Sequence, residues 1–180
     1  MNAFSNQCKV TDYKPITKLS NGKYLVCFDK VEILYNETTL VNSKVVNTGK
    51  KLHTGDCTFR SFIIDDNSST NLIVNEINKI IDEETAYNII NSCLWNGYNI
   101  YLSKENQMNY KNAFDLAVTT NGESLPVTFK FKKKGKSTYY TFDTVAELKD
   151  FYLKINKHIN DCLALGWSRK DKVNPEDYNI

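Results

Sequence analysis

The side chains able to move a proton, bind a metal or attack a carbonyl are few in this chain, and they are scattered. His53 and His158 are the only histidines; the first falls in an expected turn and the second on an expected long helix. Neither has partners at a zinc-site spacing, and no Ser-His-Asp order emerges. The five cysteines, Cys8, Cys27, Cys57, Cys93 and Cys162, are spread evenly with no close pair along the chain. An odd number without short spacings argues against a disulfide framework and against a zinc knuckle. Flanked by apolar residues, as in Leu25-Val26-Cys27-Phe28, most of them read as small buried hydrophobes, in keeping with folding in a reducing cytoplasm. Asp65-Asp66 and Asp82-Glu83-Glu84 have metal-ligand chemistry, yet neighbouring acids in loops and at helix starts are commonly just solvated. Gly135-Lys136-Ser137 has the ending of a phosphate-binding loop. The glycine needed five positions earlier is Lys130, however, and both flanks read as strand rather than strand then helix. The expectation is no catalytic residue, no cofactor and no metal.

Charge narrows the partners. Lys plus Arg is 23 against 21 acids, a formal net charge of +2, and Arg60 and Arg169 are the only arginines. Bidentate recognition of phosphate or guanine is mainly arginine work, so nucleic acid is disfavoured as a partner. Lys130, Lys132, Lys133, Lys134 and Lys136 form the strongest local charge feature. They would suit a phosphate backbone or an acidic partner. The favoured reading is a solvated hairpin tip, because lysine on exposed strand ends opposes edge-to-edge pairing. The longest apolar run, Tyr24 to Phe28, is far short of the roughly 20 residues that cross a bilayer. Met1 to Val10 lacks a basic start followed by an apolar stretch, so neither a membrane span nor a secretory signal is expected. Without such a signal, the glycosylation-type triplets Asn36-Glu37-Thr38 and Asn67-Ser68-Ser69 read as chance. With 41 % hydrophobic and 24 % charged residues the composition is globular. Eleven Tyr, nine Phe and two Trp beside so little catalytic equipment point to contact with other proteins.

The elements that would position these residues follow from periodicity and turn chemistry. Up to about Ile64 the pattern is β: Lys23 to Phe28 after the turn dipeptide Asn21-Gly22, then Val31 to Tyr35, Val41 to Val46 and Thr58 to Ile64, with turns expected at Gly49-Lys50-Lys51 and Thr54-Gly55-Asp56. The polar stretch Asp65 to Ser69 is the expected boundary. Beyond it Ile73, Ile77 and Ile80 share a helical face, with a kink or new start expected at Asp82-Glu83-Glu84. Trp95-Asn96-Gly97-Tyr98 reads as a tight hairpin. Ser103 reads as the N-cap of a helix to about Val118, with Met108, Ala113, Phe114, Leu116 and Ala117 as apolar contacts and Asn121-Gly122 as its close. Val127 to Phe131 and Thr138 to Phe142 flank the lysine turn. Thr144-Val145-Ala146-Glu147 has the capping-box form, opening a helix with Leu148, Phe151, Tyr152, Ile155, Ile159 and Cys162 at helical spacing. Gly166 is the expected stop, and the polar end of the chain is expected to be extended. The expected fold class is α+β: a small antiparallel β domain at the N-terminus, then a helix-hairpin-helix-hairpin-helix unit. The expected divisions are a β-rich docking region over 1–68, the α+β module over 69–172 and a polar tail over 173–180.

The run Trp95 to Lys111, with Ala113 to Ala117, Thr120 to Gly122, Leu125 to Phe131, Tyr140 to Phe142 and Glu147-Leu148, resembles a module of uncharacterised proteins of Bacteroides phages, including crAss-like phages, and related prophages. Phe151-Tyr152, Ile159, Cys162-Leu163, Gly166-Trp167 and Lys170-Asp171 belong to the same pattern, which covers about Leu72 to Lys172. The resemblance implies a non-enzymatic virion component, a head- or tail-associated adaptor or fibre subunit located in the virion after assembly in the host cytoplasm. Other phage structural proteins and further copies of the chain are its implied partners. Alternatives are an assembly chaperone absent from the finished particle and a nucleic-acid binder acting through the lysine hairpin. Candidate interaction residues are Trp95, Tyr98, Tyr101, Glu105, Asn106, Gln107, Lys132, Lys133 and Lys134.

Overall fold

The computed structural model describes residues 3–41, 44–65 and 68–180. The chain is mixed α+β, with two antiparallel four-stranded sheets and three long helices among the described residues. It divides into two compact units, Met1–Ile80 with Arg169–Ile180, and Ile81–Ser168.

In the first unit β1 (Phe4–Lys9), β2 (Ile16–Lys18), β3 (Tyr24–Val41) and β4 (Lys44–Ile64) lie in the order β1-β4-β3-β2. The short strands expected between residues 23 and 64 are really two long ones, paired from Tyr24 with Ile64 to Val41 with Lys44. The two expected turns are bulges. Glu32 pairs with Cys57 and Leu34 with His53, while Asn36 pairs with Lys51 and Thr38 with Asn47, so the extra residues sit on β4 about Gly55 and Gly49. Both glycines have φ near +80°, and the Asn47 and Thr54 side chains accept from the Gly49 and Asp56 amides at 2.8 and 3.1 Å. Glycine with an Asn or Thr mimicking the backbone is local turn chemistry. It becomes a bulge when the partner strand continues past it. His53 therefore stands on a strand, its Nδ1 2.7 Å from the Glu32 carboxylate. Residues 42 and 43, and Asp66 and Asn67 in the expected boundary, lie outside the described residues.

The sheet residues Val26, Cys27, Phe28, Cys57, Phe62 and Ile64 are buried, as are Ile73, Ile77 and Ile80 of α1 (Thr70–Asn91). The end of the chain is not extended. Pro175–Tyr178 forms a 3₁₀ turn whose start is capped by the Asn174 side chain. Tyr178 is buried and its hydroxyl donates to the Cys27 carbonyl at 3.2 Å. One aromatic in a polar stretch suffices to anchor it. Arg169 donates through Nε and Nη2 to Asp29 Oδ2 at 3.0 and 2.9 Å.

The break expected at Asp82-Glu83-Glu84 does not occur, because α1 runs unbroken for 22 residues. Continuing its buried face by fours, Ile73, Ile77 and Ile81 lead to Thr85 rather than to Glu84. Thr85 is buried with its hydroxyl satisfied by donation to the Ile81 carbonyl at 2.7 Å, so the stripe carries a polar residue without an orphaned group.

The second unit contains β5 (Cys93–Trp95), β6 (Tyr98–Ile100), α2 (Lys104–Thr119), β7 (Val127–Lys133), β8 (Lys136–Phe142) and most of α3 (Val145–Lys170), with strand order β5-β6-β7-β8. Asn96-Gly97 and Lys134-Gly135 have positive φ at both positions, the geometry of type I′ hairpins. Ser103 Oγ accepts from the Asn106 amide at 3.2 Å and caps α2, and the Gly122 amide reaches back to the Ala117 carbonyl at 2.8 Å. Thr144 Oγ1 accepts from the Glu147 amide. The core joins Trp95, Ile100 and Leu102 to Phe131 and Phe142 of the sheet, Tyr110 and Ala117 of α2, and Leu148, Phe151 and Ile155 of α3. Each fully buried apolar side chain contributes about 1.5–3 kcal/mol. Met108 and Leu116, expected as contacts, are exposed. Ala117, Ala113 and Phe114, also expected as contacts, do meet the core, and Phe114 stacks on Tyr152 with centroids 4.9 Å apart. Gly166 does not end α3. It is buried, and a Cβ there would lie 2.5 Å from Thr85 Oγ1, so this glycine permits a close approach of α1 to α3.

Candidate functional site

Seven residue pairs, from Val127 with Phe142 to Lys133 with Lys136, hold β7 to β8. On its other side β7 meets β6 at one position, Asn99 with Lys132. Past Asn99 the pairing with β7 ends, and after Ile100, which still pairs with Cys93 of β5, the chain leaves the sheet. The Leu102 amide donates to the Ile90 carbonyl at 2.8 Å, and Asn106 Nδ2 donates to the Tyr101 carbonyl at 2.8 Å. A wedge of about 470 Å³ opens between the diverging strands, lined by Asn99, Tyr101, Asn106, Lys130, Lys132 and Ser137, with Ile100 and Phe131 against it. Alternation along β7 sets its character: Val127, Phe129 and Phe131 turn toward the core, whereas Thr128, Lys130 and Lys132 are exposed.

The wedge is basic. None of Lys130, Lys132, Lys133, Lys134 or Lys136 makes an ion pair with a described residue. Lys133 Nζ lies 4.3 Å from the Tyr98 ring centroid and Lys130 Nζ lies 5.8 Å from that of Tyr139, so aromatic faces steady two of these cations. The arginines are engaged elsewhere, Arg169 with Asp29 and Arg60 Nη2 with the Ala3 carbonyl at 3.1 Å.

Among the candidate interaction residues, Tyr101, Asn106 and Lys132 are brought together on the wedge. Lys133 and Lys134 are exposed at the adjoining hairpin. Trp95 is only 4 % exposed. Its Nε1 donates to Asp150 Oδ2 at 2.9 Å, and it packs against Tyr140, Phe142 and Phe151 with centroids 5.0–5.4 Å away. Tyr98 is half-buried beside it. Glu105 is exposed in the first turn of α2. Gln107 Nε2 donates to the Leu102 carbonyl at 2.8 Å, so Asn106 and Gln107 both satisfy carbonyls preceding the helix. Gln107 also borders a separate groove of about 560 Å³ with Met108, Tyr152 and Ile159. Sequence reasoning missed Asn99 and Ser137. Their place depends on strand register, for which no local signal exists.

Two sulfur pairs also escaped it. His158 Nε2 lies 3.7 Å from Cys162 Sγ, an i, i+4 spacing that was legible on a helix. Burial first, and then the Asp161 charge, push the Cys162 thiol up, away from the thiolate a nucleophile needs. His158 Nε2 is also within 3.2 Å of the Asn88 and Ile89 carbonyls. Cys8 and Cys57 stand opposite each other on β1 and β4 with Sγ atoms 3.7 Å apart, which only the register could reveal. Cys27 and Cys93 are pushed by burial to about 11. Among the described residues no group of three His, Cys, Asp or Glu side chains could hold a metal ion. No helix of the described residues is long and apolar enough to cross a membrane.

No protein-family model, curated protein or solved structure matches the chain.

Proposed function

We propose that this protein is a non-enzymatic structural component of a bacteriophage virion, a head- or tail-associated adaptor or fibre subunit that works by protein–protein contact. The observation that carries the reading is the surface of the β3–β4 ribbon. Val31, Leu34, Tyr35, Leu40, Val41, Val45 and Val46 are all exposed there, Leu40 and Val45 by 71 and 72 %. Past the stretches paired with β1 and β2, the two strands have only each other among the described residues. A two-stranded ribbon is marginal alone in water, and apolar side chains gathered on such an arm suit a surface that another protein covers. The resemblance of residues 72–172 to the phage module gives the setting. In this reading the N-terminal β region docks on the particle or on identical subunits, and the helix-hairpin-helix-hairpin-helix unit is the outward or linking module. Multi-copy placement brings symmetric self-association.

Mass spectrometry of purified phage particles tests the proposal, with the chain expected at a stoichiometry comparable to other minor structural proteins. Its absence from particles, with recovery bound to tail or head proteins from infected lysate, would replace this reading with that of an assembly chaperone.

A further inference from the structure

We propose that the wedge between β6 and β7 receives an acidic, extended peptide segment of a partner protein, which adds as a further strand along the free edge of β7. This rests on the reading that the protein acts by protein contact, and it names where and by what chemistry one such contact is made.

Three observations converge. The first is backbone: β7 is fully paired to β8, but from Val127 to Phe131 no strand among the described residues pairs with it on its β6 side. An open edge of amides and carbonyls is complementary to another extended backbone. The second is space: about 470 Å³ lies beside that edge. It borders Lys130, Phe131 and Lys132 of β7, a stretch that at about 3.3 Å per residue takes roughly three residues of a strand. The third is charge: Lys130 and Lys132 project from the same face of β7 with no carboxylate partner among the described residues. Acidic side chains at alternate positions of an added strand would fall beside them, as cross-strand pairs of opposite charge do. Tyr101, exposed on the opposite wall, offers a ring and hydroxyl to the segment's other side. A nucleic-acid strand fits less well. Its sugar-phosphate chain cannot match the alternating donors and acceptors of a strand edge, and the wedge lacks arginine.

The test uses the full-length protein and a fluorescein-labelled Thr-Glu-Thr-Glu-Thr-Glu peptide, followed by fluorescence anisotropy. Saturable binding that weakens as salt rises is expected. Lys130→Glu with Lys132→Glu should lower affinity at least tenfold, whereas Lys14→Glu with Lys44→Glu, an equal change in net charge, should not. Two further peptides carry N-methyl groups on the odd or on the even amides and keep every carboxylate. One of them should lose at least tenfold in affinity and the other little, because only alternate amides of an added strand face β7. Since this arm uses the unaltered protein, it decides the matter even if the charge-reversed variant fails to fold. Undetectable binding at low salt, equal binding of all three peptides, or tighter binding of an oligothymidine of matched charge would overturn the proposal. Detection of the chain in particles without peptide binding would remove this inference and leave the virion role standing.

Discussion

Thr85 and Gly166 show how much a single pair of residues can decide. The glycine sits mid-helix, where it costs about 1 kcal/mol relative to alanine by propensity alone. Its retention is explained by the Thr85 side chain, whose Oγ1 would lie 2.5 Å and Cγ2 3.2 Å from any Cβ placed there. Gly166→Ala should therefore destabilise the protein by about 1–3 kcal/mol despite the better helix former. Adding Thr85→Ala, which removes both of the closest atoms, should recover most of that loss, read as urea midpoints in a double-mutant cycle. Strict additivity of the two changes would mean that the contact does not set the helix approach. Along the sequence Gly166 looks like a helix stop, because a C′ glycine and a glycine under a close contact are the same residue until the neighbour is known. Trp95 carries the same ambiguity. Its indole could face a partner, and only the Asp150 carboxylate and the surrounding rings assign it to the core.

At the scale of elements, the ribbon of β3 and β4 and the helices behave differently. Caps and hairpin turns depend on residues within about four positions of each other. Ser103 on α2, Thr144 on α3 and the turns at Asn96-Gly97 and Lys134-Gly135 were accordingly legible. The bulges at Gly49 and Gly55 were not, because a turn and a bulge share their local chemistry and differ in whether the partner strand stops. The ribbon also carries a dynamic consequence. From Leu34 to Val41 and from Lys44 to His53 its strands pair only with each other among the described residues, with little buried side-chain surface. Its amides should exchange with deuterium at least tenfold faster than those of Val26–Phe28 and Phe62–Ile64, which belong to the covered part of the sheet. Equal protection in dilute solution would show that the ribbon is already covered, and protection that grows with protein concentration would point to a second copy.

For the whole molecule, burial of phenols ties folding to pH. Burial pushes Tyr110 up to about 12. Tyr140 reaches about 12 first through its hydrogen bond to Glu147 and then through burial. Tyr13 and Tyr178 are also raised by burial. A phenol that ionises less readily when folded leaves the unfolded chain to lose its proton first. Stability from these groups is thus fully present below pH 10 and is lost as pH rises from about 10 through 12 and beyond. The Cys27 and Cys93 thiols, also raised by burial to about 11, add a loss that begins as pH nears about 9. Denaturant midpoints should therefore be flat between about pH 7 and 8 and fall steeply by about pH 11, and Tyr110→Phe should flatten part of that fall. A midpoint unchanged at pH 11 would contradict the burial of these rings.

What the amino-acid order determined by itself is the set of choices made between near neighbours: the hairpin reversals at Asn96-Gly97 and Lys134-Gly135, the helix starts at Ser103 and Thr144, and the mixed α+β class. It also located the lysine-rich hairpin. Tertiary structure alone decided which glycines bend a strand and which admit a helix, and that Thr85 continues a buried stripe. It also set Cys8 against Cys57 and opened a basic wedge where β6 leaves β7. Each of these joins residues tens of positions apart, so register and packing govern them. A periodic pattern states that a face is buried but not what lies against it.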